Sequence, residues 1–481
     1  SAGPVRLAEL APGGSGKARA GRIPFRICNE AGEPAAAWPV TWGFPFPRGA
    51  LWDLRNLQVR TADGRPLEAQ KRVQASWQDG SVRWALLDMQ VDVPVEGLEL
   101  VLEYGPHIDD PVPTGITLQE DAAGVVVDAG ALRLTLRKDA YAFPCLVEWR
   151  APGGITRVLG DASTPAIRLV GRDGKLYDRA EVEELLVEEC GPLRAVVKVS
   201  VRHVCADGAA LFRSVLRLTA YRNKPFLRVQ HTFENDNLSE LFTQVRSLTL
   251  HAAVPSAVER LFVDGKELYP STGPVSLLQC FDDEFRVTQG GHVLFSGDRA
   301  PSCFAVCGDR ATIGFAMRDL WQNYPKGWVV ERDGLSIGIC PDISSVSYPS
   351  GGLEEVRSFF YLQDGSYRLK RGMARTHDMF FSFGEDVEQA LAAKSQLLCP
   401  PLVRVDPHVF VETGVLSPFC VRGGEGVEGY DRWVEQALAI YEADREETRA
   451  YGMLNYGDWF GERRSNWGDM EYDTPYGFIL E

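Results

Sequence analysis

From residue 23 to about residue 113, apolar and polar side chains alternate in short runs, as in Leu57-Gln58-Val59-Arg60, in 82–87 and in 98–102. Pairs such as Asp63-Gly64 and Asp79-Gly80 separate the runs. A period of two puts every second side chain on one face, so the pattern predicts antiparallel strands joined by tight turns. After a proline-bearing break at 110–115 the alternation resumes in 125–127, 131–136, 195–204, 211–221, 226–233, 245–252, 312–317 and 335–339. The intervals lack helical crossovers of the length a parallel sheet needs, which predicts a large antiparallel β-sandwich behind a small β-barrel. Helical spacing first appears at 386–398, where Val387, Ala390 and Leu391 suit a short amphipathic helix stopped by Pro400 and Pro401. A longer helix is predicted over 430–451, with Trp433, Ala437, Ile440, Tyr441 and Ala443 as its apolar side and Glu442, Asp444, Glu446 and Glu447 opposite.

The expected chain is therefore mostly β. It has an N-terminal barrel over 1–112, a sandwich over 113–400, a proline- and glycine-punctuated linker over 401–429, and a helical domain opening at 430 and continuing to 481. One helix cannot make a domain, so the helical part is expected to be incomplete. A length of 481 residues agrees with several domains rather than one core.

Charge and composition remove whole classes of function. Lys and Arg number 51 against 66 Asp and Glu, a net charge of −15, which repels a phosphate backbone and argues against a nucleic-acid partner. The most membrane-like stretch, 34–47, is uncharged but broken by Pro34, Pro39, Pro45 and Pro47 and falls short of the roughly 20 residues a spanning helix requires, so no membrane partner is expected. Residues 1–22 carry no apolar segment of the signal-peptide kind. Ten cysteines are scattered through strand-like sequence and read as free buried thiols, which favours a cytoplasmic location, the alternative being secretion with the signal removed. Cys303 and Cys307 lack a second Cys/His pair, so zinc is not expected. No cofactor is expected; a structural calcium at Asp458, Asp469 and Asp473 is left unassigned because their spacing is not that of an EF-hand.

Five ordered motifs carry more information: Trp42-Gly43-Phe44-Pro45-Phe46-Pro47-Arg48-Gly49-Ala50, Ala75-Ser76-Trp77-Gln78-Asp79-Gly80-Ser81-Val82-Arg83-Trp84, Arg318-Asp319-Leu320-Trp321-Gln322-Asn323-Tyr324-Pro325-Lys326, Gly372-Met373-Ala374-Arg375-Thr376-His377 and Asn455-Tyr456-Gly457-Asp458-Trp459. Together they resemble the exo-acting rhamnogalacturonan lyases and their bacterial relatives. The resemblance implies a barrel, a central β-sandwich and an α/α toroid, of which this chain carries only the beginning. It implies β-elimination at a galacturonate of an oligosaccharide or polysaccharide substrate.

Such chemistry needs a cation to neutralise the uronate carboxylate and a base to take the C5 proton. His377 or Tyr324 is the expected base, and Arg375 or Arg318 the expected carboxylate partner, Arg375 lying two positions from His377 on one strand face. Trp321, Trp459 and Trp467 are expected sugar platforms, with Gln322, Asn323, Asn455, Tyr456, Asp458 and Glu471 as hydrogen-bonding contacts. The blander readings are a structural histidine at 377, core aromatics at Trp321 and Tyr324, and turn chemistry in the first two motifs. Arg228, Gln230, His231 and Glu234 read as a solvated sheet face. Two carboxylates of the C-terminal loop could alternatively serve glycoside hydrolysis. A non-catalytic carbohydrate-binding protein is the third possibility.

Overall fold

The computed structural model describes residue 16 and residues 19–111, 114–350, 357–416 and 420–457. At the N-terminal end a three-stranded sheet, Ala35–Pro45, Val82–Val93 and Ala69–Ser76, packs against a five-stranded one through a core that includes Phe25, Phe44, Leu87 and Leu102. The tight turn after Ala69–Ser76 forms because Gly80 accepts a φ of 86° while the Asp79 carboxylate receives the Ser81 amide at 3.0 Å.

The stretch expected as a linker is partly built into this domain. Leu402–Val405 pairs antiparallel with Gly21–Cys28, Phe25 opposite Val405, and closes one edge of the five-stranded sheet. Val403 and Val405 are buried while Leu402 and Arg404 point out. The four-residue alternation is real but too short to stand out among prolines and glycines. Pro407–Glu412 follows as a short helix, with Asp406 capping His408 N–H at 2.9 Å.

Residues 117–159 form a five-stranded sheet that shares one hydrophobic core with a seventeen-stranded antiparallel sheet covering 167–384. Within the large sheet, Leu176–Cys190, Arg194–Cys205, Ala210–Tyr221, Phe226–Glu234, Ala374–Gly384 and Thr312–Met317 are successive neighbours. Along Phe226–Glu234 the alternation is strict from Leu227 onward. Leu227, Val229, His231 and Phe233 enter the core, and Arg228, Gln230, Thr232 and Glu234 face outward. His231, expected on the solvated face, therefore lies inside; its odd position in the alternation is the reason.

Barrel and sandwich meet over a buried polar knot. Arg194 pairs with Asp88 at 2.8 Å and with Glu189 at 2.7 Å, and Gln70 donates to Glu189 at 2.6 Å while accepting the amides of Leu193 and Arg194. Burial pushes Asp88 up to about 6.

The short helix predicted over 386–398 is present as two pieces, Val387–Leu391 and Lys394–Leu398. The long C-terminal helix spans Glu428–Thr448. Ala437 and Tyr441 are half-buried, but Trp433 and Ile440, expected on the same apolar side, are 61% and 63% exposed. Among the described residues no α/α toroid is formed.

Candidate functional site

Three segments far apart in sequence converge at one end of the sandwich. The loop 318–326 leaves the strand Thr312–Met317, the strand Ala374–Gly384 runs beside it, and the turn 449–457 follows the long helix. The turn is fastened by backbone bonds from Gly452 N to Gln322 O at 2.7 Å and from Met453 N to Tyr324 O at 2.8 Å. Gly452 adopts φ 112° against the Tyr324 ring, where an added Cβ would stand 3.3 Å from Cζ. Asp282 clamps the start of the turn, taking Arg449 through Nε at 2.7 Å and Nη2 at 2.8 Å together with buried Arg357.

At the centre, the Arg375 guanidinium donates from Nη2 to Asn323 Oδ1 and to the Tyr456 carbonyl, both at 2.8 Å. Asn323 is in turn fixed by its Nδ2 bond to Asp319 O at 2.8 Å. Asp319 itself stands exposed with a left-handed φ of 52°, a conformation an Asp side chain tolerates better than most. Its carboxyl lies within electrostatic reach of Arg318, Arg375 and Tyr456, and desolvation raises its pKa against the pull of the two arginines.

Arg318 and Arg375 serve opposite sides of the strand Ala374–Gly384. Arg318 bonds Asp378 Oδ2 at 2.6 Å and Leu397 O at 3.0 Å, and Asp378 also holds Arg228 through two bonds of 2.8 Å. Its charge is thus taken up by a three-residue cluster on the outer face. Arg375 stays with the loop and turn, so of the two expected carboxylate partners it is the one joined to Asn323 and Tyr456.

The two expected bases lie behind the cluster and face the core. Tyr324 is 1% exposed, its hydroxyl accepting from Arg357 at 3.2 Å, and burial keeps the phenol protonated. His377 is 5% exposed and stacks on Phe233 at 6.3 Å, and burial holds it neutral. Arg375 and His377 do share a strand face, as expected, but the face turns inward one residue pair beyond Arg375. Trp321 is half-buried, with the Arg299 guanidinium 4.0 Å from its ring centroid and the Tyr451 ring 4.8 Å away at an interplanar angle of 53°. Gln322 is half-buried, Asn455 is 2% exposed and Tyr456 is half-buried against Tyr451 at 5.7 Å. Asp458, Trp459, Trp467 and Glu471 lie outside the described residues, as do Asp469 and Asp473.

Sequence reasoning passed over two groups here. Asp319 lies in the motif 318–326 directly after Arg318, and that neighbouring charge is the signal its sequence offers. Lys326 is fully buried, its Nζ donating to Ile339 O at 2.8 Å and Met453 Sδ at 3.0 Å, and burial lowers it to about 7. Nothing in the local pattern marks a lysine that ends a loop as a core residue. Further inside, Ser214 Oγ joins His203 and His231 at 2.9 and 2.8 Å. Among the described residues no group of three His, Cys, Asp or Glu has the arrangement of a metal site, and no helix is long and apolar enough to cross a membrane.

Comparison with known proteins fits this picture. Residues 27–96 match the model of the PcRGLX-like N-terminal RIFT barrel domain, and residues 174–262 match that of the PcRGLX-like protein central beta sandwich domain. The two matches, in that order, support the resemblance to the rhamnogalacturonan-lyase-like family. The uncharacterized protein YetA of Bacillus subtilis (strain 168) is 21% identical over 507 residues, covering 89% of this chain and 58% of YetA. The chain thus spans 58% of the length of this curated relative. An alpha-mannosidase from Enterococcus faecalis V583 superposes with a TM-score of 0.49 and 11% identity over 80% of this chain and 46% of its own. A galactose mutarotase-like protein from Clostridium acetobutylicum gives 0.30 and 10% over 57% and 99%. Scores of this size transfer neither fold nor activity.

Proposed function

We propose that the chain carries the barrel and sandwich of a polysaccharide lyase that cleaves uronate-containing, rhamnogalacturonan-type oligosaccharides by β-elimination. The observation that carries this reading is the Arg375 guanidinium held between Asn323 Oδ1 and the Tyr456 carbonyl, beside the partly desolvated carboxyl of Asp319. A planar guanidinium pairs with a uronate carboxylate and makes the adjacent C5–H more acidic. Asp319, its pKa raised by desolvation, takes that proton. The C5–H electron pair becomes the C4=C5 bond, the C4–O bond breaks towards the leaving oxygen, and that oxygen receives a proton from the Tyr456 phenol, which burial keeps protonated. The matched domain models and the motif order add support from outside the site.

The test is incubation with galacturonate-containing pectic oligosaccharides, following ultraviolet absorbance of the conjugated product. Asp319→Asn lowers the rate by about 10²–10⁴-fold and Arg375→Ala by a similar or smaller factor. New reducing ends without the absorbance would replace the lyase by a glycoside hydrolase. Saccharide binding with neither signal would leave a non-catalytic carbohydrate-binding protein.

A further inference from the structure

The site above leaves a large hollow unused at the sandwich edge. It has a volume of about 560 Å³, and its lining includes Arg172, Asp173, Tyr177, Leu211, Asn237 and Gln244 together with Glu240 and Thr243. That volume lies inside the roughly 300–1,000 Å³ of small-molecule sites. None of these residues belongs to the Arg375 cluster. Two other hollows open on the outer sheet face, of about 300 and 240 Å³. The first contains no aromatic ring and is lined mainly by cross-strand ion pairs such as Arg213–Glu234 and Lys198–Glu184; Arg217–Glu188 bridges it to the second. The edge hollow differs from the first in setting a ring and an aliphatic side chain among amides and charges, and from the second, which has Tyr221, Val196 and Gln230, in its volume of about 560 Å³ against 240 Å³.

We propose that this hollow is a separate binding site for an uncharged saccharide unit. A pyranose has an apolar C–H face and a rim of hydroxyls that both donate and accept. Tyr177, half-buried, and Leu211 supply apolar surface, the Tyr177 ring having Lys175 Nζ 5.7 Å from its centroid. The rim chemistry is supplied by Gln244, Asn237 and Arg172, which are already positioned by the protein. Arg172 donates to Gln244 Oε1 at 2.5 Å, and Asn237 Nδ2 donates to Glu240 at 3.2 Å and Thr243 at 3.1 Å. Such pre-positioning lowers the ordering cost of binding. The charge of the lining decides the ligand class. Among the lining residues Asp173 and Glu240 stand against one cation, Arg172, which Asp364 offsets at 3.8 Å, and Lys175 beside the Tyr177 ring is paired with Asp207 at 2.8 Å. A uronate would bring a third negative charge, so the uncharged sugar of a mixed chain is the one accepted.

The site rests on the carbohydrate reading above but not on the lyase chemistry, and the experiment separates the two. The chain is titrated with rhamnose, with a neutral disaccharide and with galacturonate, binding being read by ligand-observed NMR and calorimetry. The neutral sugars bind, and galacturonate binds at least tenfold more weakly. Tyr177→Ala weakens the neutral sugars at least tenfold, Tyr177→Phe retains them, and Arg375→Ala leaves them unchanged. Gln244→Ala provides a second variant should Tyr177→Ala unfold early in a thermal scan. Equal binding by wild type and both alanine variants, preference for galacturonate, or loss on Arg375→Ala overturns the proposal. Absence of ultraviolet absorbance from every saccharide, with neutral binding intact, sinks only the lyase reading.

Discussion

Lys326 shows what burial does to one side chain. Its ammonium would be fully removed from water, so the neutral amine is favoured and the group falls to about 7 in the folded chain, against roughly 10.4 unfolded. A cationic group with a lowered folded pKa binds fewer protons folded than unfolded across that window. Stability therefore rises as pH increases from about 7 to about 10. Relative to Lys326→Met, wild type is expected to gain on the order of 2–3 kcal/mol between pH 7 and pH 9.5 in urea unfolding. A pH-independent difference would show the amine to be charged in the core. His231 and His377 teach the related lesson that strand parity, and not residue type, decides which face a histidine occupies. Read by parity, His231 separates from Arg228, Gln230 and Glu234 without any coordinates.

At the scale of single elements, Leu402–Val405 is the clearest departure from expectation. Four residues from the sandwich side complete the N-terminal sheet, Val403 lying opposite Ile27. Val403 is 3% exposed and Leu402 51%. Val403→Asp leaves an uncompensated charge in the barrel core and is expected to lower stability by about 3–5 kcal/mol. Leu402→Asp stays within about 0.5 kcal/mol. Equal effects in denaturant unfolding would mean that the strand does not pair as described. The long helix Glu428–Thr448 is equally instructive, since its apolar spacing was legible but its orientation was not. A helix read alone has one apolar stripe, whereas here the half-buried positions include Asp431, Val434, Tyr441 and Arg445.

Across the whole molecule, the candidate site exists because the sandwich holds the turn 449–457. Asp282, 6% exposed, joins Arg357 and Arg449 to the strand end that precedes it. Asp282→Ala strands the buried Arg357 guanidinium and leaves Arg449 only the Asp283 carboxylate at 2.5 Å, and is expected to cost about 3–5 kcal/mol locally. Limited proteolysis then cuts within 420–457 well before the sandwich is attacked, and the proposed elimination falls because Arg375 loses the Tyr456 carbonyl. Uniform cleavage of both proteins would show that other contacts hold the turn. The barrel is held by different means, its Gln70 and Asp88 meeting Glu189 and Arg194 across the seam.

The sequence alone determined the mostly β character, the barrel-then-sandwich order and the three segments carrying candidate chemistry, because alternation, turn pairs and motifs are properties of neighbouring residues. The tertiary structure decided which members of those segments share a site. Arg375 meets Asn323 across 52 positions and Tyr456 across 81, and contacts of that span depend on strand order and register. It also turned His377 and Tyr324 into the core and left Asp319 at the surface, since the side of a strand that faces water is fixed only when a second layer covers the other.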